Sequence, residues 1–419
     1  MAPRKPKQAE INIGMIGHVD HGKSTLAEAF TGKFPDTHSE ELRRGISIRL
    51  GYADCEFRRM KDPETGEYTY TTEKKRGSEL VRRISFVDAP GHEVLMATML
   101  SGAAIMDAVL LVISATEPVP MPQTREHLAA MNVIDMDKLI VVQNKVELVT
   151  EEEAVQNFDD IQSFLDKEWK HGSKDVPIIP ISAIHGANLD LLIEKIEEFF
   201  PSPERDKNLP PQMLIARSFD INKPGAIPKE FQGGVVGGAI GQGTMEVGKE
   251  VEIRPGINND GVWTPLMSKV TSLHSGFGAL KKAIPGGLIG IGTELDVSMT
   301  KNDKLVGHVV GEPGSLPPVW KAITFDATFL EWVVGAKGDQ AVPEPTMNAK
   351  LMLNIGTAKT VGSVSKVQPK GKLTTRFTAE LVLPVCASEG TRLAISVLID
   401  RRWRLVGWGT LVGGNVLVE

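Results

Sequence analysis

The sequence predicts an α/β domain with a parallel-rich sheet, followed by two β-barrel domains. From Ile11 to about Pro201, apolar runs of strand length alternate with longer helical patterns, which is typical of a parallel sheet covered on both faces. Prolines and charged residues interrupt the alternation at Pro201–Gln212, which predicts a linker. Beyond it the helical periodicity disappears, and short β-rich runs recur between Gly/Pro turns, as in barrels or sandwiches.

Length supports more than one domain, because a chain of 419 residues exceeds what a single core usually serves. Two barrels fit the β-rich part better than one, with a boundary near Glu312–Pro318. We therefore divide the chain into residues 1–205, 206–315 and 316–419.

Individual elements follow from the same patterns. In the first domain the predicted strands are INIGMIG, RISFVDA, AVLLVIS, LIVVQN and VPIIPIS, and the predicted helices include EEEAVQNFDDIQSFLDKEWK and LDLLIEKIEEFF. Beyond the linker the predicted strands are QMLIARSFDI, GGVVGGAIGQG, KEVEIRP, GGLIGIGTEL and KLVGHVVG, then AKLMLNIG, TVGSVSKV, FTAELVLP and TRLAISVLI. Parallel sheets of this kind bind ligands at the carboxyl ends of their strands.

Composition excludes several classes of protein. A net charge of −6 gives no overall attraction to nucleic acid, so any RNA binding must use a local surface. Cys55 and Cys386 are too few and too far apart for a disulfide framework or a four-cysteine zinc site. No apolar stretch is long enough to span a bilayer, and the start MAPRKPKQ lacks the apolar segment of a signal peptide. We expect a cytoplasmic protein without a membrane partner.

The segment GHVDHGKSTL carries a phosphate-binding pattern between a predicted strand and a predicted helix. Gly17, Gly22, Lys23 and Ser24 fit G-x-x-x-x-G-K-[ST]. In such a loop, backbone N–H groups and the helix N-terminus surround a polyphosphate, the lysine neutralises its outer charge and the hydroxyl reaches Mg²⁺. The alternative is an ordinary glycine turn with a solvated lysine.

Two further segments predict a switch that responds to the outermost phosphate. RRGISIRLG (Arg43–Gly51) offers the hydroxyl of Ser47 to Mg²⁺ from a charged, glycine-marked loop. DAPG ends a predicted strand, so Asp88 can hold Mg²⁺ through water and the Gly91 N–H can sense the γ-phosphate. These loops would be ordered by a triphosphate and released on hydrolysis.

Two segments predict selection of guanine. NKVE ends the strand LIVVQN, and the Glu147 carboxylate can accept hydrogen bonds from N1–H and the exocyclic amine of guanine. The stem of Lys145 can stack along the base, and SAI can direct the Ala183 N–H toward guanine O6. Each motif alone is frequent by chance, but their order at successive strand ends predicts an α/β P-loop GTPase domain.

Together, GHVDHGKST, RRGISI, DAPGHE, NKVE and SAI resemble the motifs of the translational GTPases. The two β-rich domains behind them are similar to the elongation-factor-Tu-like branch, which carries aminoacyl-tRNA. More narrowly, DAPGHEVLMATMLSGAAIMD, EPVPMPQTREHL, RSFDINKPG, GGVVGGAIGQG and RRWRLVGWG resemble the gamma-subunit family of archaeal and eukaryotic translation initiation factor two. The resemblance extends from about Ile11 to the end of the chain.

This resemblance implies roles for individual residues. It places the GTP phosphates on Asp20, His21, Gly22, Lys23, Ser24 and Thr25, and guanine on Asn144, Lys145, Val146, Glu147, Ser182, Ala183 and Ile184. It implies Mg²⁺ at Ser24 and Ser47, and a second metal in some states at Asp20 and the Gly45 carbonyl. His92 matches the histidine that positions the attacking water, and Val19 and Ile46 match the apolar pair that can hold it away.

The chain departs from the family pattern at three places. Ser47 stands where most relatives have threonine, which keeps the hydroxyl, and Glu147 stands where most have aspartate, so we expect guanine preference to persist with altered affinity. Many members carry a zinc knuckle with two CxxC pairs after the equivalent of Gly51. This chain has only Cys55 there, so no zinc is expected, and DPETGEY is predicted to form a hairpin turn.

The resemblance implies a GTP-dependent initiation factor with slow intrinsic GTPase activity. With GTP and Mg²⁺ bound it would carry methionylated initiator tRNA to the small ribosomal subunit, and hydrolysis to GDP would release it. It also implies an alpha subunit on the second domain and a beta subunit on the GTP-binding domain. Candidate tRNA contacts are Lys281, Lys282, Pro285–Gly287, Arg401, Arg402 and Arg404, although such charged faces are more often simply solvated.

Two other functions share this domain plan. One is a metabolic GTPase, such as the GTPase subunit of a sulfate-activating enzyme, and GTP-dependent binding of initiator tRNA would distinguish it. The other is a selenocysteine-specific elongation factor, which is expected to carry an RNA-binding extension beyond the two barrels.

Overall fold

The structure is a computed structural model that describes residues 7–32, 50–90, 92, 95–222, 232–335, 340–371 and 374–417. The chain divides into two compact units. We call Ala9–Pro203 the α/β unit, and Met1–Gln8 together with Glu204–Glu419 the β unit.

The α/β unit contains one mixed sheet with helices packed against it. Its strands are β1 (Ile11–Ile16), β2 (Gly51–Lys61), β3 (Tyr68–Thr71), β4 (Glu79–Asp88), β5 (Ala108–Ser114), β6 (Leu139–Asn144) and β7 (Ile178–Pro180). Its helices are α1 (Lys23–Thr31), α2 (Met96–Ala103), α3 (Pro122–Ile134), α4 (Glu151–Glu168) and α5 (Leu189–Phe199). The strand order is β3-β2-β4-β1-β5-β6-β7.

Strand direction confirms the predicted parallel-rich sheet. The pairs β4·β1, β1·β5, β5·β6 and β6·β7 are parallel, whereas β2 pairs antiparallel with both β3 and β4. Every residue of β1, β5 and β6 is buried, which explains why their sequences are continuously apolar rather than alternating. The five predicted runs all form strands, although β7 is shorter than VPIIPIS.

Helix ends are fixed by side chains as well as by packing. Thr150 forms a capping box before α4: its hydroxyl accepts from the Glu153 N–H at 3.3 Å, and its own N–H donates to the Glu153 carboxylate at 2.9 Å. Arg82, a buried residue of β4, donates to the carbonyls of Phe200 at 2.6 Å and Ile196 at 3.4 Å, where α5 ends. Its Nε also donates to Glu197 at 2.9 Å. Strand β4 is thereby joined to the last turn of α5.

The predicted hairpin turn between β2 and β3 is confirmed. Asp62 holds the turn, because its Oδ1 accepts from the N–H groups of Glu64 at 2.7 Å and Thr65 at 3.0 Å. At the base of the hairpin, Arg58 donates to the Ser78 hydroxyl at 2.9 Å and to Glu56 at 2.7 Å. Among the residues described, no three His, Cys, Asp or Glu side chains lie close enough to hold a metal ion together.

The β unit is built from antiparallel strands. They are β8 (Gln212–Phe219), β9 (Val235–Gln242), β10 (Met245–Glu246), β11 (Glu250–Asn259), β12 (Val262–Lys269), β13 (Ser272–Ser275), β14 (Gly278–Leu280), β15 (Lys282–Ala283), β16 (Leu288–Gly292), β17 (Val309–Gly311), β18 (Val319–Phe329), β19 (Lys350–Ile355), β20 (Ala358–Pro369), β21 (Thr375–Cys386), β22 (Arg392–Ile399) and β23 (Arg402–Val416). A single-turn helix, α6, covers Val297–Thr300.

These strands form two separate sets with separate cores. Strands β18 to β23 close into a six-stranded barrel in the order β18-β21-β20-β19-β22-β23. The earlier strands form an eight-stranded sheet, β12-β11-β17-β8-β9-β16-β13-β14, and a two-stranded ribbon, β10-β15. Each set surrounds its own apolar cluster, one including Ile215 and Ile253, the other Phe325 and Phe377. The closed barrel is therefore the second of the two predicted, and the first is an eight-stranded sheet with a ribbon.

The first described residues of the chain belong to the β unit. Gln8 is buried, and its side-chain amide donates to the carbonyls of Ile284 and Gly286 and accepts from the Ile284 N–H at 3.1 Å. The Ser275 hydroxyl donates to the Lys7 carbonyl at 2.7 Å. We call these contacts of Lys7 and Gln8 the N-terminal anchor. They supply the Gln8 amide with hydrogen-bond partners in a segment that lies more than 270 residues further along the chain.

None of the helices in the described parts of the chain is both long enough and apolar enough to cross a membrane.

Candidate nucleotide-binding site

The predicted phosphate loop connects the end of β1 to the first turn of α1. Its two key glycines have backbone conformations that other residues rarely adopt: φ is 138° at Gly17 and 91° at Gly22. A Cβ at Gly17 would lie 2.2 Å from the Val112 carbonyl oxygen, and one at Gly22 would lie 2.3 Å from Nδ2 of Asn144. The glycine spacing in the sequence is therefore required by close backbone packing as well as by the turn.

Lys23 is folded back over this loop. It is only 6% exposed, and its Nζ donates to the carbonyls of Gly17 at 3.0 Å and His18 at 2.6 Å. These bonds hold the ammonium group against the loop, where it would neutralise a bound polyphosphate. Asp20 also belongs to the loop, is exposed and has a φ of 63°.

Ser24 and Asp88 were both predicted to serve Mg²⁺, and the structure brings them together. The Ser24 hydroxyl, in the first turn of α1, donates to Oδ2 of Asp88 at 2.7 Å, and Asp88 is the buried last residue of β4. Strand β4 lies beside β1, so the adjacent carboxyl ends of the two strands bring the pair together. Hard oxygen donors such as a hydroxyl and a carboxylate suit Mg²⁺, which commonly keeps several waters in protein sites. This donor set fits the ion.

Asn144, at the end of β6, connects the phosphate loop to the segment after β7. Its Nδ2 donates to the His21 carbonyl at 2.9 Å, and its Oδ1 accepts from the Ala183 N–H at 3.1 Å. The side chain is buried and both of its polar atoms are bonded. The sequence predicted that the Ala183 N–H would meet guanine O6; in this structure it is donated to Asn144, because the two strand ends are adjacent.

The predicted guanine-binding residues surround this link. Lys145 has a φ of 63° and leads into a 3-10 turn at Val146–Leu148, in which Glu147 is exposed. Ser182 pairs with Ala187 in an isolated β-bridge, and its hydroxyl accepts from the His185 N–H at 3.3 Å. Ile184 is 71% exposed. Glu147, which the sequence predicts to accept hydrogen bonds from guanine, is thus open to solvent.

Several predicted residues lie wholly or partly outside the described part of the chain. Gly45, Ile46, Ser47 and Gly91 are among the residues that the structure does not describe. His92 is described, although residues 91, 93 and 94 are not. Its carbonyl accepts from the Leu95 N–H at 2.9 Å, just before α2.

The structure adds two residues that sequence analysis missed, Glu117 and His127. The His21 side chain is buried rather than directed outward, with Nε2 3.2 Å from Glu117 and Nδ1 3.1 Å from the Val112 carbonyl. His127, on α3, accepts the Gly17 N–H on its Nδ1 at 2.9 Å. Neither contact follows a spacing rule, because each partner lies about a hundred residues away. The segment EPVPMPQTREHL, which contains both residues, carries the only hint, through family resemblance.

Burial keeps these histidines neutral. It lowers the pKa of His18 and of His21, and together with the nearby charge of Lys23 it lowers the pKa of His127 to about 3. Lys23 therefore remains the cation of this loop at neutral pH.

The candidate tRNA-contacting residues all lie in the β unit. Lys281 and Lys282 are exposed, and Lys282 pairs with Glu246 at 2.6 Å. Arg401 is at the turn between β22 and β23, and Arg402 and Arg404 begin β23.

Two family models match the chain. The model described as "Elongation factor Tu GTP binding domain" matches residues 8–202, and the one described as "Initiation factor eIF2 gamma, C terminal" matches residues 321–411.

Similar proteins cover almost the whole chain. It is 52% identical to translation initiation factor 2 subunit gamma of Methanocaldococcus jannaschii, over 99% of this chain and 100% of that protein. It is 49% identical to the protein of the same name from Pyrococcus abyssi, over 97% of this chain and 98% of that protein.

Solved structures share the fold at lower identity. A bacterial selenocysteine-specific elongation factor aligns with a TM-score of 0.73 at 23% identity, covering 97% of this chain and 59% of that one. Elongation factor SelB of Methanococcus maripaludis, solved with the GTP analogue GPPNHP, aligns with a TM-score of 0.70 at 24% identity, covering 97% of this chain and 79% of that one.

Proposed function

Because this chain belongs to the gamma-subunit family of translation initiation factor 2, we propose that it carries methionylated initiator tRNA under the control of GTP. As a member of that family it is a translational GTPase that binds guanine nucleotide and acts in the initiation of protein synthesis. The observation that carries the proposal is the Ser24–Asp88 pair beside a phosphate loop over which the Lys23 side chain is folded.

The phosphates of GTP would lie on the N–H groups from Asp20 to Thr25, with the Lys23 ammonium against the outer phosphates. Asn144–Glu147 and Ser182–Ile184 would bind guanine, with Glu147 as the acceptor that excludes adenine. Ser24 and Asp88 would hold Mg²⁺, with Ser47 as a further ligand, and Asp20 and the Gly45 carbonyl would serve a second metal. Mg²⁺ held there would neutralise negative charge that develops on the phosphates.

His92 is the residue we assign to hydrolysis. His92 would orient the attacking water. Val19 and Ile46 would hold the His92 side chain away from the phosphate until a partner releases it. The Gly91 N–H would sense the γ-phosphate. Intrinsic hydrolysis is then slow, because the water is positioned only after the partner acts.

The carrier role requires the rest of the chain. We propose three domains at residues 1–205, 206–315 and 316–419, consistent with the unit boundary at Pro203 and with the break between β17 and β18. GTP would favour a state that binds initiator tRNA for delivery to the small ribosomal subunit, and hydrolysis would favour release. Alpha and beta subunits of the same factor would complete a cytoplasmic heterotrimer.

The metabolic and selenocysteine-specific alternatives are not favoured, because initiation factors match nearly the full length at high identity.

A tRNA-binding titration tests the proposal. The purified chain, with its partner subunits present, is titrated with methionylated initiator tRNA in Mg²⁺ and either GTP, GDP or a non-hydrolysable GTP analogue. We expect tight binding with GTP and the analogue and at least about tenfold weaker binding with GDP, a coupling of about 1.4 kcal/mol or more.

Variants identify the source of that coupling. Lys23→Ala should abolish the difference between GTP and GDP, because the phosphates lose their cation, whereas Lys167→Ala, on the exposed face of α4, should preserve it. Equal tRNA affinity with GTP and GDP in the unmodified chain would contradict the proposal.

A further inference from the structure

The N–H and the carbonyl of Gly17 are both bonded by side chains. Its N–H donates to Nδ1 of His127 at 2.9 Å, and its carbonyl accepts from Lys23 at 3.0 Å. Lys23 belongs to the phosphate loop, whereas His127 lies on α3 and is 1% exposed. The start of the loop is therefore fixed from outside the loop by a buried residue.

The geometry defines the protonation state of His127. A backbone N–H can only donate, so Nδ1 must carry a lone pair and the ring must be neutral with its hydrogen on Nε2. Burial and the nearby charge of Lys23 both oppose a positive charge on this ring. A charged ring would lose the bond and repel Lys23.

The hydrogen bond between Gly17 and His127 lies where the backbone has few alternative conformations. Gly17 has a φ of 138°, and Val112 closes the space where a side chain would be. Further along the loop, His21 bonds Glu117, which precedes α3, at 3.2 Å. The segment from Glu117 to His127 thus holds the loop at two points, and His127 is the buried one.

We propose that His127 is a positioning residue for the nucleotide: its neutral imidazole fixes the Gly17 N–H and so holds the phosphate loop in the geometry that binds polyphosphate. His127 acts through Gly17 and is not assigned any contact with the nucleotide. The inference rests on the proposed nucleotide site. Without this anchor the loop would populate other geometries, and apparent affinity falls in proportion to the competent fraction.

The test compares replacements that keep or remove the acceptor. In His127→Asn the amide oxygen can take the place of Nδ1, whereas His127→Leu has similar bulk and no acceptor. Affinities for GDP and GTP with Mg²⁺ are measured with fluorescent analogues, together with the melting temperature without nucleotide. We expect about tenfold weaker binding for the Leu variant, since a buried donor without an acceptor destabilises the loop geometry that binds nucleotide, and affinity within about threefold of the original for the Asn variant.

Controls separate this role from simple packing. His171→Leu changes an exposed histidine of the same unit and should leave both affinities unchanged. If the Leu variant does not fold, His127→Gln replaces it, because its amide reaches the position of Nε2 rather than Nδ1, and it should bind weakly.

Two results would overturn the inference. One is unchanged affinity in a folded variant without the acceptor, and the other is equal loss of affinity in the Asn and Leu variants in step with their melting temperatures. An unmodified chain that binds no guanine nucleotide would instead overturn the proposed function.

Discussion

At the scale of single residues, one carboxylate of the closed barrel has an unusually strong set of partners. Asp326, on β18, accepts from Arg376 through both oxygens, at 2.6 and 2.8 Å, and from Lys370 at 2.9 Å. The hydrogen bonds from Arg376 contribute most to lowering its pKa to about 2 from an ordinary 3.8. The carboxylate is therefore more stable in the folded protein than in the unfolded chain.

This predicts how the stability of the barrel depends on pH. Because the folded pKa is depressed, the contribution of Asp326 is fully present above about pH 4 and is lost as the pH falls toward 2. We expect Asp326→Asn to reduce the free energy of unfolding by about 1–2 kcal/mol at pH 7, allowing for partial solvent screening. Urea unfolding, followed by hydrogen exchange in peptides of β18 to β23, measures the difference.

Urea unfolding of the original chain and of Asp326→Asn at low pH provides the control. Near pH 2 the midpoints of the original chain and the variant should differ much less than at pH 7, since the original carboxylate is then about half protonated and most of its contribution is lost. A difference that stays constant from pH 7 to pH 2 would contradict the electrostatic explanation.

Sequence reasoning reached some residues of the site and missed others for a physical reason. Ser24 and Asp88 were predictable because Asp88 ends β4 and Ser24 lies in the first helical turn after the loop that follows β1, and adjacent parallel strands bring their carboxyl ends together. The role of Asn144 in linking two loops was not predictable from the sequence. Its partner His21 is 123 residues away, and the bond depends on how the loops turn. His127 was missed for the same reason.

At the scale of elements, the buried guanidinium of Arg82 should control the end of α5. We expect Arg82→Met to lower the local stability of α5 by about 3 kcal/mol, because Glu197 and the carbonyls of Ile196 and Phe200 would lose a buried partner. Hydrogen exchange in a peptide covering α5 should accelerate, while α4 should be little affected.

A milder change separates charge from hydrogen bonding. Glu197→Gln keeps an oxygen that can accept from Arg82, so it should cost less than Arg82→Met. Exchange in α5 that is unaltered in the Arg82 variant would show that packing alone holds the helix.

Elements differed in how readily the sequence revealed them. The central strands of the α/β unit were predictable because burial on both faces gives unbroken apolar runs. The fifteen-residue strand β23 was not assigned, since its glycines and its register shift against β22 disturb the alternation. At one of these positions, Gly407, a Cβ would lie 2.2 Å from the Thr328 carbonyl oxygen, so the residue that weakens the pattern is the one the barrel needs.

At the scale of the whole molecule, nucleotide should stabilise one unit selectively. A ligand at about a hundred times its dissociation constant adds about 2.7 kcal/mol to the folded state that binds it. We expect GDP with Mg²⁺ to slow hydrogen exchange in peptides covering β1 with α1 and β6 of the α/β unit, and to change exchange in the closed barrel little.

The Lys23→Ala variant supplies the control, because it should show no slowing at the same GDP concentration. Protection confined to the β unit of the original chain would contradict the placement of the nucleotide on Lys23 and Asn144.

The N-terminal anchor of Gln8 has a consequence for synthesis on the ribosome. The backbone groups of Ile284 and Gly286 that accept from its amide are made more than 270 residues after Gln8. This contact must therefore form after the chain has been synthesised as far as Gly286. A bulky group attached just ahead of Lys7 would therefore hinder a step of maturation that follows the synthesis of residues 275–286, to which Lys7 and Gln8 bond.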